Sequence, residues 1–520
     1  MKCYEGNIIS VNKNDDVFKY LVEDEGKIVF VGNELPDIYK NCEILHLGKK
    51  ALIPSFVDTH QHFASFSTFH AGLNVMDATS NQDILKMIKD FQSHTKKKTI
   101  IAFGASPYSV KEQHLVTLKE LDSVCPDKEL MLVKYDGHAC VINSKLLKKL
   151  KSKLKNLRGY HPDTGEMNQE AFFKVSNYIT NSLSLFDLFK YMQQAVDFHA
   201  QKGIGCIHTV SGVGFIGNLD ITLEKLFTKS LRNGFQLRVY PQSMNVKTAK
   251  RRHLPRIGGC FECALDGCFG SHDAALNEPY IDAEAGNGVL YYDDEKVIEF
   301  CKEANRSGLQ IEMHAIGDKA FDQATRALKA ALDDFPRKNH RHGIIHDCLP
   351  TENGLKICKE YEILMPVQSS FINWRQEPDS YLESIMGSDR VKKLNPIKDF
   401  LNNNIIVSFG SDAPCTSPDP ISWIDKAVNN NNKDQRINIH EALRMCTYNG
   451  YYTSFDEDNR GSLEIGKIAD MVILSENPYT YNEISKIKVE KLILSGKEYK
   501  SAKENIFKSI IKSIFSSNKF

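Results

Sequence analysis

Read for its apolar and polar positions, the chain divides into three textures. The first fifty residues set short β-branched runs, NIISVN, KYLVED and KIVFVG, between polar clusters such as NKNDD and EDEG, a spacing that predicts strands and tight turns. The same texture returns late, in GSLEIGKIADMVILSENP and VEKLILSGKEY, where IADMVIL and KLILSG read as short strands. Between these ends, apolar runs alternate with helical patterns, as where VIEFCKEANRSG precedes LQIEMHAIG. That alternation predicts βαβ units on a parallel sheet. Eight runs read as buried parallel strands: ALIPSFVDTH, GIGCIHTVS, QLRVYPQS, GCFECALDG, LQIEMHAIG, HGIIHD, YEILMPVQ and NIIVSFGSD. Their number matches a closed (β/α)8 TIM barrel.

The gap from His62 to Gly203 is too long for a loop. It carries ELMLVKYDGHACVIN and the helical stretches LVTLKELDSV and FDLFKYMQQAVDFHAQKG, and predicts a subdomain inserted after the first strand, over about residues 64–200. No internal repeat is evident. Near the C-terminus, Phe507, Ile510, Ile511 and Ile514 follow helical spacing with Lys508 and Lys512 turned away. They predict a basic amphipathic helix over 501–520. Packing on its own body or on a neighbouring subunit is preferred for it over contact with a membrane surface.

Composition narrows the class without naming it. The 520 residues are 42% hydrophobic and 25% charged, a globular balance. Lys plus Arg and Asp plus Glu are both 66, so no whole-molecule field favours nucleic acid or anionic membrane. The Lys-rich run KLLKKLKSKLKNLRG reads as a solvated helix face, and no basic stripe with interleaved aromatics is present. The 13 cysteines are scattered without a CxxC. Together with the missing signal peptide and the missing long apolar span, they predict reduced thiols in a cytoplasmic protein.

The chemistry gathers at the ends of the predicted strands. The first run ends His60-Gln61-His62, whose imidazoles at i and i+2 point to one face, shared by Asp58. His314 ends LQIEMH, His346 ends GIIH, and Asp412 ends IIVSFGSD. Taken singly, each has a plain reading: an accidental HxH, a satisfied histidine, a turn residue before proline. Jointly, four histidines and an aspartate at strand ends, where barrel active sites are built, predict a metal site. A divalent ion lowers the pKa of its water from about 15.7 to about 7 and polarises a carbonyl.

The motifs IPSFVDTHQHF, KYDGHACVIN, LDGCFGSHDAAL, MHAIGDKA, IIHDCLP, SFGSDAP, ALRMCTYN and GSLEIGKIADMVIL run in order over residues 51–474. In them the chain resembles the amidohydrolase superfamily of metal-dependent hydrolases, specifically its third sequence family, which includes N-substituted formamide deformylases. The resemblance implies a barrel body over 53–455 and a small β-sandwich made jointly by both chain ends, 1–52 plus 456–500. It implies that His60 and His62 hold the more buried ion and that His314 and His346 hold the second. Asp412 would bind the buried ion and take a proton from the hydrolytic water. Many relatives carry a carbamylated lysine on the fourth strand. Glu262 stands there in FECALDG and becomes the expected bridging ligand, its alternative being a structural ion pair. Period-two alternation places Glu262, Ala264 and Asp266 on one face. His138, in Asp136-Gly137-His138, and His272, in GCFGSHDAAL, are the expected substrate contacts. An arginine common near His272 in relatives is missing, which weakens the expectation of an anionic substrate. Cys268 and Cys415 lie near the site in sequence, with quiet packing as their expected role.

The resemblance implies hydrolysis of a non-peptide carbon–nitrogen amide bond in a small molecule, through a metal-activated hydroxide. Two zinc ions are expected, with manganese, iron or nickel compatible with N/O ligands. A one-metal deaminase of the same superfamily would use His60, His62, His314 and Asp412 without a fourth-strand carboxylate. A catalytically inactive interaction protein is the reading from another class, disfavoured because all expected ligand types are present. A homodimer is left open.

Overall fold

Strands from both ends of the chain share one sheet. The computed structural model, which describes residues 1–213, 215–281 and 286–516, orders them Lys497–Glu498, Val489–Leu494, Met471–Leu474, Glu43–Pro54, Lys2–Ile9, Val17–Asp24 and Lys27–Gly32. Glu43–Pro54 is the seam. It runs parallel to Lys2–Ile9 on one side and antiparallel to Met471–Leu474 on the other. Period-two alternation gives this sheet two buried faces. Leu52, Met471 and Ile473 join Tyr4, Ile8, Leu21 and Ile28 in a small separate core, while Ala51, Ile53, Val472 and Leu474 face the main body. The expected two-sheet sandwich is, among the described residues, one sheet bent over its own core. Ile28 N–H donates to Lys467 O (2.9 Å), and Gly466 N–H donates to Ile28 O (2.8 Å), bringing the outer strand back toward the approach to Met471–Leu474. Pairing of the first two strands slips between Glu5 and Ile8. Gly6 sits in the slip with φ 148°, and a Cβ there would lie 2.7 Å from Leu47 Cβ, so only glycine fits the bend.

The eight predicted runs all form strands, labelled here β1 (Phe56–Gln61), β2 (Ile204–Ser211), β3 (Gln236–Pro241), β4 (Arg256–Ala264), β5 (Gln310–Ala315), β6 (Gly343–His346), β7 (Met365–Val367) and β8 (Val407–Phe409). Parallel ladders join β1–β2–β3, β4–β5–β6 and β7–β8. A parallel bridge from Gly343 to Leu364 ties β6 to the approach of β7. At the other seam, Asp412 N–H donates to His60 O and His62 N–H to Ala413 O, both at 2.8 Å. No ladder joins β3 to β4 among the described residues, so the sheets do not close into one continuous ladder. Every residue of β1 and β2 is buried, as expected of strands covered on both faces. The covering helices are amphipathic. In Asp318–Asp334, between β5 and β6, Ala320, Phe321, Ala324, Ala327, Leu328 and Ala331 make the buried stripe.

The insertion has a fold of its own. Its six-stranded sheet runs Tyr160–His161, Glu166–Asn168, Ala139–Ile142, Glu129–Lys134, Thr99–Ala105, Leu73–Asn74, with a separate apolar core on each face. The helix Leu185–Gln201 belongs elsewhere: Leu188, Phe189, Met192 and Val196 pack into the main core, making it the crossover from the insertion into β2. At the C-terminus the helix spans Ile506–Ile514 and lies against Leu219–Ser230. Only its Ser509 is buried. Phe507, Ile511 and Ile514 stay exposed, so the apolar stripe, expected to pack on its own body or on a neighbouring subunit, faces away from its own body. Residues 517–520 of the predicted helix lie outside the described residues. Among the described residues no helix is long and apolar enough to cross a membrane.

Candidate metal centre

Five predicted ligands meet at the C-terminal ends of the parallel strands. His60 is the penultimate residue of β1 and is fully buried, and His62 caps the start of the helix Phe63–His70. Asp412 Oδ1 lies 3.2 Å from His60 Nε2 and 3.4 Å from His62 Nε2. The ring centroid of His346 is 5.3 Å from that of His60 and 4.5 Å from that of His314. His60, His346 and Asp412 each offer an atom within 4.8 Å of the others'. The backbone is bent to make this possible. His346, Asp347 and Asp412 have φ of 78°, 47° and 53°, a left-handed region that non-glycine residues occupy only when their surroundings hold them there.

Neighbouring groups orient the ligands. His346 Nδ1 lies 2.6 Å from Gln368 Oε1, so the ring donates there and turns the Nε2 lone pair to the cluster. Asp58, which shares the His60 face in the sequence, lies outside the cluster. Its carboxylate accepts Ser411 N–H (2.8 Å), Ser411 Oγ–H (2.6 Å) and Gln61 Nε2–H (3.1 Å), which braces β1 against the loop carrying Asp412. Asp266 likewise accepts the N–H groups of Ala275, Ile316 and Gly317 at 2.8–3.0 Å and lies 3.4 Å from His314 Nε2. Burial lowers the pKa of His60 and takes that of His346 well below the ordinary histidine value. Burial alone would raise the Asp412 carboxyl, but the imidazoles of His60 and His62 hold it well below the usual range. Neutral imidazoles and an ionised carboxylate are the metal-binding forms.

The structure does not bring Glu262 into this cluster. Its side chain is exposed at the cavity mouth. The period-two reading of β4 fails because its pairing with β5 shifts register between Gly259 and Ala264, and Phe261 within the shift has φ 51°. The residue delivered instead is Cys260, whose Sγ is 3.4 Å from His60 Nε2 and 3.7 Å from His346 Nε2. His272 is also absent from the site. It sits in a left-handed turn, and its ring packs edge-on against Tyr280. His138 does line the cavity, with its ring centroid 6.0 Å from that of Phe261 and its N–H donating to Asp136 Oδ1 (3.0 Å). Cys268 and Cys415 line the same cavity.

The cavity above the cluster holds about 690 Å³. Phe172 and Phe173 of the insertion, with Phe69, Phe261, Phe371 and Trp374, make its walls aromatic. Among the described residues no lysine or arginine lines it. An adjoining hollow of about 960 Å³ shares His138 and Phe173 with it. Glu377 is a site residue no sequence pattern indicated. It is buried at the cavity wall, accepting Tyr135 O–H (2.6 Å) and Gly270 N–H (3.2 Å), and burial pushes its pKa up to about 7.

The amidohydrolase family profile matches residues 43–499. This chain belongs to the amidohydrolase family. Among its relatives, YtcJ of Bacillus subtilis (strain 168), named only provisionally as an amidohydrolase, is 23% identical over 486 residues, 87% of this chain and 90% of that one. The N-substituted formamide deformylase of Arthrobacter pascens is 21% identical over 523 residues, 91% and 92% of the two chains. An uncharacterised metal-dependent hydrolase from Pyrococcus horikoshii OT3 shares the fold, with TM-score 0.75 at 24% identity over 92% of this chain and 98% of that one.

The residues of this amidohydrolase fit the divalent metal its family implies. His60 Nδ1, His314 Nδ1 and Asp412 Oδ1 are buried without a directed hydrogen bond. Of these, Asp412 Oδ1 lies between the Nε2 atoms of His60 and His62, an arrangement of carboxylate and imidazoles that a shared cation satisfies. The donors are imidazoles and a carboxylate, with a thiol among them.

Proposed function

We propose that this protein hydrolyses a non-peptide carbon–nitrogen bond in a small, uncharged molecule, giving a carboxylic acid and an amine at a divalent-metal centre on a (β/α)8 barrel. The convergence of His60, His62, His314, His346 and Asp412, together with Cys260, in overlapping sets of donor atoms within 4.8 Å of one another carries this reading. His60 and His62 would hold one ion, His314 and His346 the second, with Asp412 beside the first. Divalent ions so held, zinc first among the candidates, supply Lewis acidity toward the scissile carbonyl and acidify water.

The chain's own groups do the rest. Asp412, kept ionised by the two imidazoles, accepts the proton of the attacking water and hands it to the leaving amine. The aromatic walls take an apolar substituent next to the scissile bond and exclude bulk water. The missing basic side chain at the cavity disfavours a carboxylate or phosphate on the substrate. Glu377, near neutrality and hydrogen-bonded to Tyr135, offers a polar contact within the apolar wall. The similarity to a formamide deformylase supports N-formyl and N-acyl aryl- or alkylamines as the first compounds to assay.

The test is elemental mass spectrometry on protein purified without chelators, paired with amine release from such amides. The expected outcome is about two ions per chain and turnover that chelation abolishes. One ion per chain moves amidine-like deaminase substrates to the front. No ion after metal addition, and no turnover, overturns the enzyme reading.

A further inference from the structure

The fourth-strand position raises a question that the exposed Glu262 leaves unanswered: what joins the two halves of the site. We propose that Cys260 does so, as a thiolate shared by both ions; the inference rests on the metal-centre reading above.

The geometry assigns Cys260 a central place. Its sulfur forms one compact set with His60 and His62 and another with His314 and His346, each set having its donor atoms within 4.8 Å of one another. The only residue common to these two sets is Cys260. A bridging ligand must satisfy that condition, since a zinc–sulfur bond is about 2.3 Å long and the shared atom must reach both ions. The sulfur lies within hydrogen-bonding range of two ring nitrogens, His60 Nε2 at 3.4 Å and His346 Nε2 at 3.7 Å. These imidazoles are ligands in their own right.

The strand is built to hold the sulfur there. Gly258 and Gly259 precede Cys260 with φ of 121° and 119°. A Cβ on Gly258 would fall 1.8 Å from Glu312 O, and one on Gly259 would fall 2.6 Å from Val210 Cγ1. The backbone is therefore pressed against β5 and β2, and the left-handed Phe261 that follows turns the chain so that Cys260 faces in and Glu262 faces out. Two ions bound at a shared thiolate release one proton from the thiol to solvent, so charge balances as S–H becomes the sulfur ligand. A thiolate is a soft ligand and shifts preference toward zinc and cobalt over manganese or magnesium.

Metal-free full-length protein titrated with cobalt(II) tests the proposal. The expected result is a sulfur-to-cobalt charge-transfer band in the near ultraviolet that saturates with cobalt uptake. Cys260→Ser should lose the band and bind the second equivalent at least about 100-fold more weakly, while Glu262→Gln keeps the band. Cobalt binding by the unmodified protein with ligand-field bands alone overturns the bridge and leaves the metal centre standing. So does a Cys260→Ser spectrum equal to that of the unmodified chain. Because the first of these outcomes needs no variant, a Cys260→Ser protein that fails to fold does not protect the proposal. Absence of any cobalt binding overturns both the bridge and the metal-centre reading beneath it.

Discussion

Buried charge is handled in opposite ways at the two ends of the parallel strands. At the N-terminal end, Arg238 at the start of β3 pairs with Asp456 (Nε–Oδ2 2.8 Å). Arg341, just before β6, pairs with Glu457 through two contacts of 2.5 and 2.8 Å, and Arg460 pairs with Asp470. Opposite charges there compensate one another inside the protein. At the C-terminal end, four imidazoles and the Asp412 carboxylate crowd together, with three of their atoms lacking directed partners and three backbone positions held left-handed. The first arrangement stabilises the fold. The second spends stability on a candidate metal site.

The comparison breaks first at Asp412. Asp412→Asn should lower kcat/KM by about 10³, while the melting temperature of the metal-free protein stays level or rises. A loss of folding as large as the loss of turnover would make Asp412 a structural residue. The opposite end should invert this pattern. Asp456→Ala leaves the Arg238 guanidinium, 4% exposed, without its counter-charge and should destabilise the protein by about 3–5 kcal/mol. Replacing both partners with apolar residues of similar size should recover much of that. Urea titration decides, and a double variant as unstable as the single one would count against the pairing argument.

Chelation sharpens the difference more gently. Metal present at about 100 times its dissociation constant stabilises the folded state by about 2.7 kcal/mol. Its removal should therefore lower the melting temperature of the unmodified protein and move that of Asp412→Asn less. Equal shifts in the two proteins would place the stabilising ion elsewhere.

A separate, pH-dependent effect concerns Glu224, whose partner Thr209 also accepts the N–H of Phe63 next to His62. Burial raises its carboxyl from the ordinary glutamate value of 4.5 to about 8, against the opposing hydrogen bonds of Ser211 and Thr209. The folded chain keeps this proton at pH values where the unfolded chain has lost it. Its contribution is thus full below about 4.5 and declines as pH rises through about 8, with a slope of at most about 1.4 kcal/mol per pH unit. Glu224→Gln should flatten the melting temperature across this window, and an unchanged pH profile would count against a protonated Glu224.

The strands and the clustering of the candidate ligands at their ends were legible because both signals are local. A strand covered on both faces reads as a continuous apolar run, and a ligand at its C-terminal end reads as the polar residue that stops it. Cys260 was hidden by a register shift at Phe261, a residue whose side chain gives no cue for positive φ, so the alternation pointed to Glu262. His272 misled because its loop tightens into a left-handed turn. Glu377 comes from the long connection between β7 and β8, and Phe172 and Phe173 come from a helix of the insertion. Neither has a periodic relation to the site, and tertiary packing alone brings them to it. The bend of the end sheet rests on Gly6 and Leu47, forty-one positions apart.

The seam of that end sheet sets an order for biosynthesis. Glu43–Pro54 takes one neighbour from Lys2–Ile9, which precedes it in the chain, and the other from Met471–Leu474, far downstream. A nascent chain therefore emerges with one edge of this twelve-residue strand open, and that edge stays open until Met471–Leu474 has been made. During that interval it is an unpaired template for other strands, which makes the growing chain vulnerable to aggregation until Met471–Leu474 arrives.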